Sequence, residues 1–173
     1  PVAWHPVVWM GRALHWWGEW LAPPAPVARD FKRFWLAAVV WVGLVAIVSI
    51  VFWAAQQLVL MLPGWLAAAL LALLLKPLLA WRMLRDEVLA VEVALGQSLA
   101  AGRAQLARLV SRDVSALSAE EVRESAIESL AENLNDSVVA PLLWFALLGL
   151  PGAALYRFAN TADAMWGYPG MRG

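Results

Sequence analysis

The feature that most constrains this chain is a long stretch without charge: between Arg33 and Lys76 there is no Asp, Glu, Lys or Arg. A helix that crosses the hydrocarbon core of a bilayer needs about 20 apolar residues, so this stretch is long enough for one complete span and most of a second. The sequence Leu62-Pro63-Gly64-Trp65 divides it, because proline and glycine end a helix and permit a tight turn. We therefore predict membrane spans at about 35–61 and 65–81.

The composition also indicates a helical membrane protein whose partner is the lipid bilayer. Of the 173 residues, 62% are hydrophobic and 15% are charged, whereas soluble domains average about 25% charged residues. The net charge is zero, so we expect no nucleic-acid partner. The lack of cysteine excludes disulfides and thiolate chemistry. Because the chain starts at Pro1, we expect residues 1–173 to be a single membrane-embedded domain from a longer protein, lacking both ends.

Positive charges predict how the two spans are oriented. Arg29, Lys32 and Arg33 precede the first span, and Arg82 and Arg85 follow the second, while the turn between the spans is uncharged. Lys and Arg are retained on the cytoplasmic side of a membrane. We expect a multi-pass protein of the inner membrane in which both ends of this hairpin face the cytoplasm. For Lys76 two interpretations stay open, a side chain that reaches the interface and a functional charge inside the protein.

Helical periodicity predicts further helices outside the two spans. Residues 4–21 have apolar side chains at the spacing of an amphipathic helix that lies on the membrane surface, namely Val7, Met10, Leu14, Trp17 and Leu21. A stiff linker at 23–26 follows. Residues 83–109 read as one long helix and 111–117 as a loop. Together with the helix that follows this loop, they predict cytoplasmic helices over about 83–136.

That next helix carries an unusual concentration of oxygen-bearing side chains. Ser118 and Glu121 form a capping-box pattern, so the helix should begin at about 119. Its predicted apolar stripe consists of Val122, Ala126, Ile127, Leu130 and Leu134. Five acids and amides lie just before an apolar segment: Glu128, Glu132, Asn133, Asn135 and Asp136. Such groups suit Mg²⁺, which takes one or two carboxylates plus substrate phosphates. A solvated polar face is the equally weighted alternative.

The apolar segment 137–156 is interrupted by Gly149-Leu150-Pro151-Gly152. Its first half is too short to cross about 30 Å of hydrocarbon, which favours a re-entrant helical hairpin over a single kinked span. A hairpin would return Asn160, Thr161 and Asp163 to the side from which the segment entered. A transporter site at the break is a weaker interpretation, because the neighbouring residues are apolar.

Three blocks of sequence resemble one known family. They are HPVVWMGRAL (5–14), SRDVSAL (111–117) and AIESLAENLNDSVVAPLLWFALLGLPGAALYRFANTADAMWGY (126–168), and they resemble the CobD/CbiB family of adenosylcobinamide-phosphate synthases. The third block is highly specific. Where the family usually reads Gly-Arg-Asp-Thr, this chain has Ser111-Arg112-Asp113-Val114.

The resemblance implies a cobalamin-biosynthesis ligase that forms an amide bond. Its substrates would be adenosylcobyric acid, which is a corrinoid, and aminopropanol phosphate or ethanolamine phosphate, with ATP and Mg²⁺ as cofactors. It also implies a cytoplasmic active site and either a homo-oligomer or contacts with other enzymes of the pathway. A non-catalytic AmpE-like membrane protein on the same scaffold is the alternative.

The resemblance also assigns roles to residues. Catalytic candidates are Glu128, Glu132, Asp136 and Asp163, and of these Glu132 and Asp136 are the candidate metal ligands. Candidate substrate-binding residues are His5, Arg112, Asp113, Asn133, Arg157, Asn160 and Thr161. Among them Arg112 is the preferred phosphate-binding group, because its planar fork can hold an oxyanion with two hydrogen bonds.

Overall fold

A computed structural model describes residues 5–21 and 30–166, which leaves the predicted linker at 23–26, Arg29 and Tyr168 outside the described residues. Within those two ranges the chain forms helices and turns and no strand, which confirms the all-α prediction. The helices are α1 (Pro6–Leu21), α2 (Phe31–Leu60), α3 (Gly64–Leu75), α4 (Trp81–Gln97), α5 (Leu99–Leu106), α6 (Ala119–Leu134) and α7 (Ala140–Trp166). A 3₁₀ turn, Lys76–Leu78, follows α3, and a π-helical turn, Asn135–Val139, joins α6 to α7.

The chain forms two compact units. The first unit comprises the described residues of Pro1–Leu78 and Ala140–Gly173, and the second unit comprises Leu79–Val139.

Helix α2 is the longest apolar helix of the first unit. Its 30 residues extend about 45 Å, and Asp30 caps its start by accepting a hydrogen bond from the backbone N–H of Arg33 at 3.1 Å. No residue of α2 is buried. Its exposed side chains include the apolar residues Val39, Ile47 and Trp53. A surface this apolar needs lipid or protein around it. The first predicted span is therefore confirmed as a helix long and apolar enough to cross a membrane.

The break predicted around Pro63-Gly64 is confirmed, but α3 is shorter than the predicted second span. It ends at Leu75 rather than near residue 81. Pro77 accounts for the end, because proline lacks a backbone N–H and its ring clashes with the carbonyl of the preceding turn. Lys76 is exposed at this break.

Helix α7 is two helical arms, 140–148 and 150–166, that meet at Gly149. This glycine has φ 70° and ψ −156°, which no helical residue adopts. A methyl group on Gly152 would collide with the carbonyl oxygen of Trp144, whereas a straight helix would separate these residues by about 12 Å. The second arm therefore folds back against the first. By length and composition the run Ala119–Trp166 qualifies as a span, but the fold-back makes it a helical hairpin and not one straight span.

The tip of this hairpin is held by a polar side chain from α2. The Oε1 atom of Gln56 accepts a hydrogen bond from the backbone N–H of Leu150 at 2.6 Å. That N–H lies at the start of the second arm, where a helix leaves its first four N–H groups unpaired. Leu150, Ala153 and Phe158 are almost fully buried, so the second arm supplies much of the core of the first unit.

Helix α1 uses its predicted apolar stripe to pack against protein. Met10, Leu14 and Leu21 are buried, and α1 contacts α7. The side chains left exposed on the opposite side of α1 include Trp16 and Trp20. Three residues of the stripe expected to face lipid are thus buried against protein.

The prediction of one helix over 83–109 is wrong, because α4 and α5 form a hairpin that turns at Ser98. Ser98 is extended (φ −168°, ψ 158°), and its hydroxyl caps α5 by accepting a hydrogen bond from the N–H of Ala101 at 3.1 Å. Gly102 allows the two helices to pack closely, since a Cβ there would collide with the side chain of Leu95.

Helix α6 completes the second unit. The core contains Val91 of α4, Leu106 of α5, and Val122 and Ala126 of α6. The capping box is confirmed: the Ser118 hydroxyl accepts from the N–H of Glu121 at 3.3 Å, and the Glu121 carboxylate accepts from the N–H of Ser118 at 2.7 Å. The predicted stripe is wrong at Ile127, which is 62% exposed.

Candidate functional site

The oxygen-rich segment spans the end of α6 and the π-helical turn. In that turn the backbone is wider than in an α-helix, and single π turns are frequent at functional sites. The carbonyl oxygen of Ser137 accepts a hydrogen bond from the N–H of Ala80, just before α4, at 3.1 Å. The only sequence signal for the turn is its run of weak helix formers, Asn135-Asp136-Ser137-Val138-Val139, which is not specific enough to predict a π turn.

Arg112 and Glu128 are brought together by the fold of the second unit. One guanidinium nitrogen of Arg112, Nη2, lies 2.6 Å from Oε2 of Glu128 and also donates to the hydroxyl of Ser125 at 2.8 Å. The two charged side chains are about half exposed, at 50% and 67%, whereas Ser125 is buried. Ser125 was not predicted from the sequence. The feature that could have identified it is its place on the inner face of α6, four positions before Ser129.

The amide and carboxylate groups further along are oriented by neighbours on their own helix. The Nδ2 atom of Asn133 donates to the backbone carbonyl of Ser129 at 2.8 Å, and Nδ2 of Asn135 donates to Oδ1 of Asp136 at 3.1 Å. Glu132 is exposed and Asp136 is half-buried. Asn133 and Asn135 are exposed as well.

The carboxylate oxygens of this segment determine whether a magnesium ion could bind here. Among the residues that the structure describes, no group of three or more His, Asp or Glu side chains is arranged to hold a metal ion. Glu132 and Asp136 supply two carboxylates four positions apart. They fit an ion that takes its remaining oxygens from substrate phosphates and water, which is the usual way Mg²⁺ is bound.

A small cavity lies beside this segment, within the second unit. Its volume is about 140 Å³, below the range of about 300–1,000 Å³ for pockets that enclose small molecules. Its lining includes Met83, Leu84, Glu87, Arg108, Ser129 and Asn133. This cavity is therefore too small to enclose a small molecule.

Asp113 orders the loop that carries Arg112. Its two carboxylate oxygens accept hydrogen bonds from the backbone N–H of Ser115 at 2.9 Å and from the Ser115 hydroxyl at 3.0 Å. These bonds, the backbone one foremost, lower the pKa of Asp113 below its ordinary value of 3.8. Val114, where the related family usually has threonine, is 8% exposed and belongs to the hydrophobic core. The two residues that follow Arg112 in the chain are therefore both held in place, Asp113 by hydrogen bonds and Val114 by packing.

We expect the order of this loop to depend on pH through Asp113. Because the pKa is lowered by folding, the stabilisation is fully present above 3.8 and is lost as the pH falls through the lower folded-state value. In the Asp113→Asn variant, backbone amides of 111–117 should exchange faster than in the unchanged protein at neutral pH, and the difference should vanish in strong acid. A difference that is the same at every pH would contradict this role.

The remaining predicted residues lie in the first unit. Asn160 and Thr161 are half-buried on the second arm of α7, and Asp163 is exposed near its end. The hydroxyl of Thr161 donates to the backbone carbonyl of Arg157 at 2.7 Å, one helical turn earlier. His5 is exposed, and its backbone carbonyl accepts a hydrogen bond from the N–H of Val8 at 3.0 Å at the start of α1.

Comparison with known proteins identifies the family. The model of the family described as CobD/Cbib protein matches residues 1–172. The chain belongs to the CobD/CbiB family. It is 38% identical over 164 residues to the probable cobalamin biosynthesis protein CobD of Methanothermobacter thermautotrophicus, covering 95% of this chain and 51% of that protein. It is 37% identical over 179 residues to the cobalamin biosynthesis protein CobD of Chromobacterium violaceum, covering 99% of this chain and 54% of that protein.

A third family member gives the same coverage. The probable cobalamin biosynthesis protein CobD of Thermococcus kodakarensis is 39% identical over 173 residues, which are 99% of this chain and 55% of that protein. The chain thus spans about half the length of the curated relatives it matches. No solved structure matches it.

Proposed function

We propose that the protein acts in cobalamin biosynthesis as an ATP-dependent ligase. The reaction joins the amino group of aminopropanol phosphate, or of ethanolamine phosphate, to a propionate carboxyl of adenosylcobyric acid and gives adenosylcobinamide phosphate or its ethanolamine counterpart. The observation that carries the proposal is family membership over residues 1–172, together with relatives named as cobalamin biosynthesis proteins.

The chemistry needs a better leaving group on the carboxyl. A carboxylate oxygen attacks the terminal phosphorus of ATP, the bond from that phosphorus to the bridging oxygen breaks, and ADP leaves. The amine, after losing a proton, then attacks the acyl carbon, and phosphate departs as the C–N bond forms. Phosphoryl transfer depends mainly on positioning and on neutralising charge, which charged and amide side chains can supply.

The chain supplies groups for each part of this work. Arg112 would bind a phosphate through its planar fork, and Glu132 with Asp136 would hold Mg²⁺, which would neutralise charge on the phosphates. One carboxylate among the catalytic candidates Glu128, Glu132, Asp136 and Asp163 would accept the proton that the ammonium must lose. The role of Asp163, like those of Asn160 and His5, is taken from the family resemblance.

We also propose that the active side faces the cytoplasm. Lys32 and Arg33 begin α2, Arg82 and Arg85 lie at the start of α4, and the turn between α2 and α3 has no charge. The hairpin of α7 would then enter and leave the membrane on the cytoplasmic side of a bacterial inner membrane or its archaeal equivalent.

Cysteine labelling tests this orientation on a background without cysteine. We expect Thr161→Cys to react with a membrane-impermeant maleimide only when the cytoplasmic face is accessible. Met61→Cys, 79% exposed in the turn after α2, is the matched control and should react only from outside. Reaction of Thr161→Cys from the outside would show that the second arm crosses the membrane.

Binding of the corrinoid separates the ligase from a non-catalytic AmpE-like relative. The purified protein in detergent should bind adenosylcobyric acid saturably in equilibrium dialysis, followed by the visible absorbance of the corrinoid. A folded protein that binds no corrinoid at concentrations well above those of the protein would favour the AmpE-like alternative.

A further inference from the structure

Arg112 is a cation whose position is fixed before any ligand arrives. On one side its loop is ordered by the bonds between Asp113 and Ser115, and Val114 is anchored in the core. On the other side the buried hydroxyl of Ser125 accepts a hydrogen bond from Nη2 at 2.8 Å. Arginine normally loses considerable side-chain entropy on binding an anion. The hydrogen bond to Ser125 and the ordered loop reduce that loss at Arg112.

The remaining contact of this guanidinium is with an exposed carboxylate. The same Nη2 atom lies 2.6 Å from Oε2 of Glu128, which is 67% exposed. Exposed ion pairs contribute little, typically about 0–1 kcal/mol, so solvent ions and ligands can compete with them. The carboxylate occupies the position that an oxygen of a bound anion would take.

We propose that Glu128 is an exchangeable counter-ion of Arg112, which is displaced when the phosphate group of a substrate binds there. This rests on the proposed ligase function, which requires two phosphate-bearing substrates, ATP and the amino-alcohol phosphate. A phosphate carries about two negative charges and three acceptor oxygens, so it outcompetes a single carboxylate for a planar fork. Displacement leaves the Glu128 carboxylate free beside the bound phosphate.

This exchange predicts an effect opposite to that expected for a metal ligand. Removing the charge of Glu128 should tighten phosphate binding, because the competing carboxylate is gone, whereas loss of a Mg²⁺ ligand would weaken binding with Mg²⁺ present and would not tighten it in its absence. A second ion pair of the second unit offers a matched control. Arg123 donates to both oxygens of Glu92 at 2.8 and 3.0 Å, and the side chains of this pair are 51% and 57% exposed.

The test is calorimetric titration of the purified protein in detergent, without Mg²⁺, with ethanolamine phosphate in one arm and ATP in the other. We expect Glu128→Gln to bind the phosphate compound about twofold to fivefold more tightly, which lies within the range set by an exposed ion pair. Glu92→Gln, which removes the same charge from the same unit, should leave the affinity unchanged. The arm that responds identifies which substrate places its phosphate at Arg112, and a response in both arms supports a site for either phosphate.

A second variant tests the cation. Arg112→Lys keeps the charge but loses the planar fork, and it should bind the same compound at least about tenfold more weakly. Unfolding cannot explain tighter binding by Glu128→Gln, so that result does not depend on how well Arg112→Lys folds. The inference is overturned if the unchanged protein binds the compounds and Glu128→Gln binds them no more tightly, or if Glu92→Gln gains as much. If the unchanged protein binds neither compound, the inference is overturned, and the ligase proposal is then decided separately by formation of the amide product with Mg-ATP.

Discussion

Replacing Gly149 with alanine should destabilise the hairpin of α7. The φ of 70° and ψ of −156° lie in a region that is almost restricted to glycine, and a side chain there costs about 1–3 kcal/mol of strain. The new Cβ would also collide with the side-chain amide of Gln56. We therefore expect a lower midpoint of thermal unfolding, followed by tryptophan fluorescence in detergent.

Gly43→Ala is the matched control for this prediction. Gly43 lies in α2 with no atom near its added Cβ, and alanine is favoured over glycine in a helix by about 1 kcal/mol. It should leave the midpoint unchanged or raise it. Equal stability of Gly149→Ala and Gly43→Ala would show that the hairpin does not depend on the left-handed glycine.

The second large effect is expected on catalysis, in the Glu132→Ala and Asp136→Ala variants. Each removes one of the two carboxylates that would hold Mg²⁺ or accept a proton, and loss of such a group reduces turnover by about a hundredfold or more. Both side chains lie at or near the surface of the second unit, so the variants should still fold and insert. Rates of amide formation with saturating Mg-ATP would measure the effect.

Glu124→Ala provides the control on the same helix. Glu124 is exposed one turn before Glu128 and has no predicted catalytic role, so its removal should leave the rate nearly unchanged. Full turnover by both Glu132→Ala and Asp136→Ala would remove the proposed site from α6 and the π turn.

Features with a local cause could be predicted from the sequence. The uncharged stretch dictates α2, because a helix satisfies all its backbone groups within one segment when it is surrounded by lipid. Pro63-Gly64 ends that helix, and Ser118 with Glu121 begins α6, since each signal acts within one turn of the chain. The fold-back at Gly149 could also be predicted, because the apolar half of segment 137–156 that precedes it is too short to span the membrane.

Features that depend on contacts between distant residues could not be predicted in the same way. Gln56 holds the hairpin tip through Leu150, which is 94 positions away, and nothing near Gln56 in the sequence marks that partner. Ser98 interrupts a regular helical pattern because its cap on α5 and the packing of Gly102 on α4 together outweigh a continuous helix. Ile127 lies at the edge of the apolar stripe, where only the packing of α6 decides which side chain is buried.

The candidate site was predicted as a set of residues but not as an arrangement. The acids and amides at 128–136 could be identified from the sequence, because so many oxygen-bearing side chains are unusual in so apolar a chain. Their partners could not, because the contacts of Arg112 with Ser125 and Glu128 depend on how the loop before α6 folds. The π turn was also missed, since an extra residue in one helical turn leaves no periodic trace.

The most direct test of the ligase proposal is to follow the amide product by mass. The purified protein in detergent would receive adenosylcobyric acid, aminopropanol phosphate and Mg-ATP, with each of the three omitted in turn. We predict a corrinoid of the mass of adenosylcobinamide phosphate, formed only when all three are present. A folded protein that receives all three and leaves the adenosylcobyric acid unchanged would contradict the proposal.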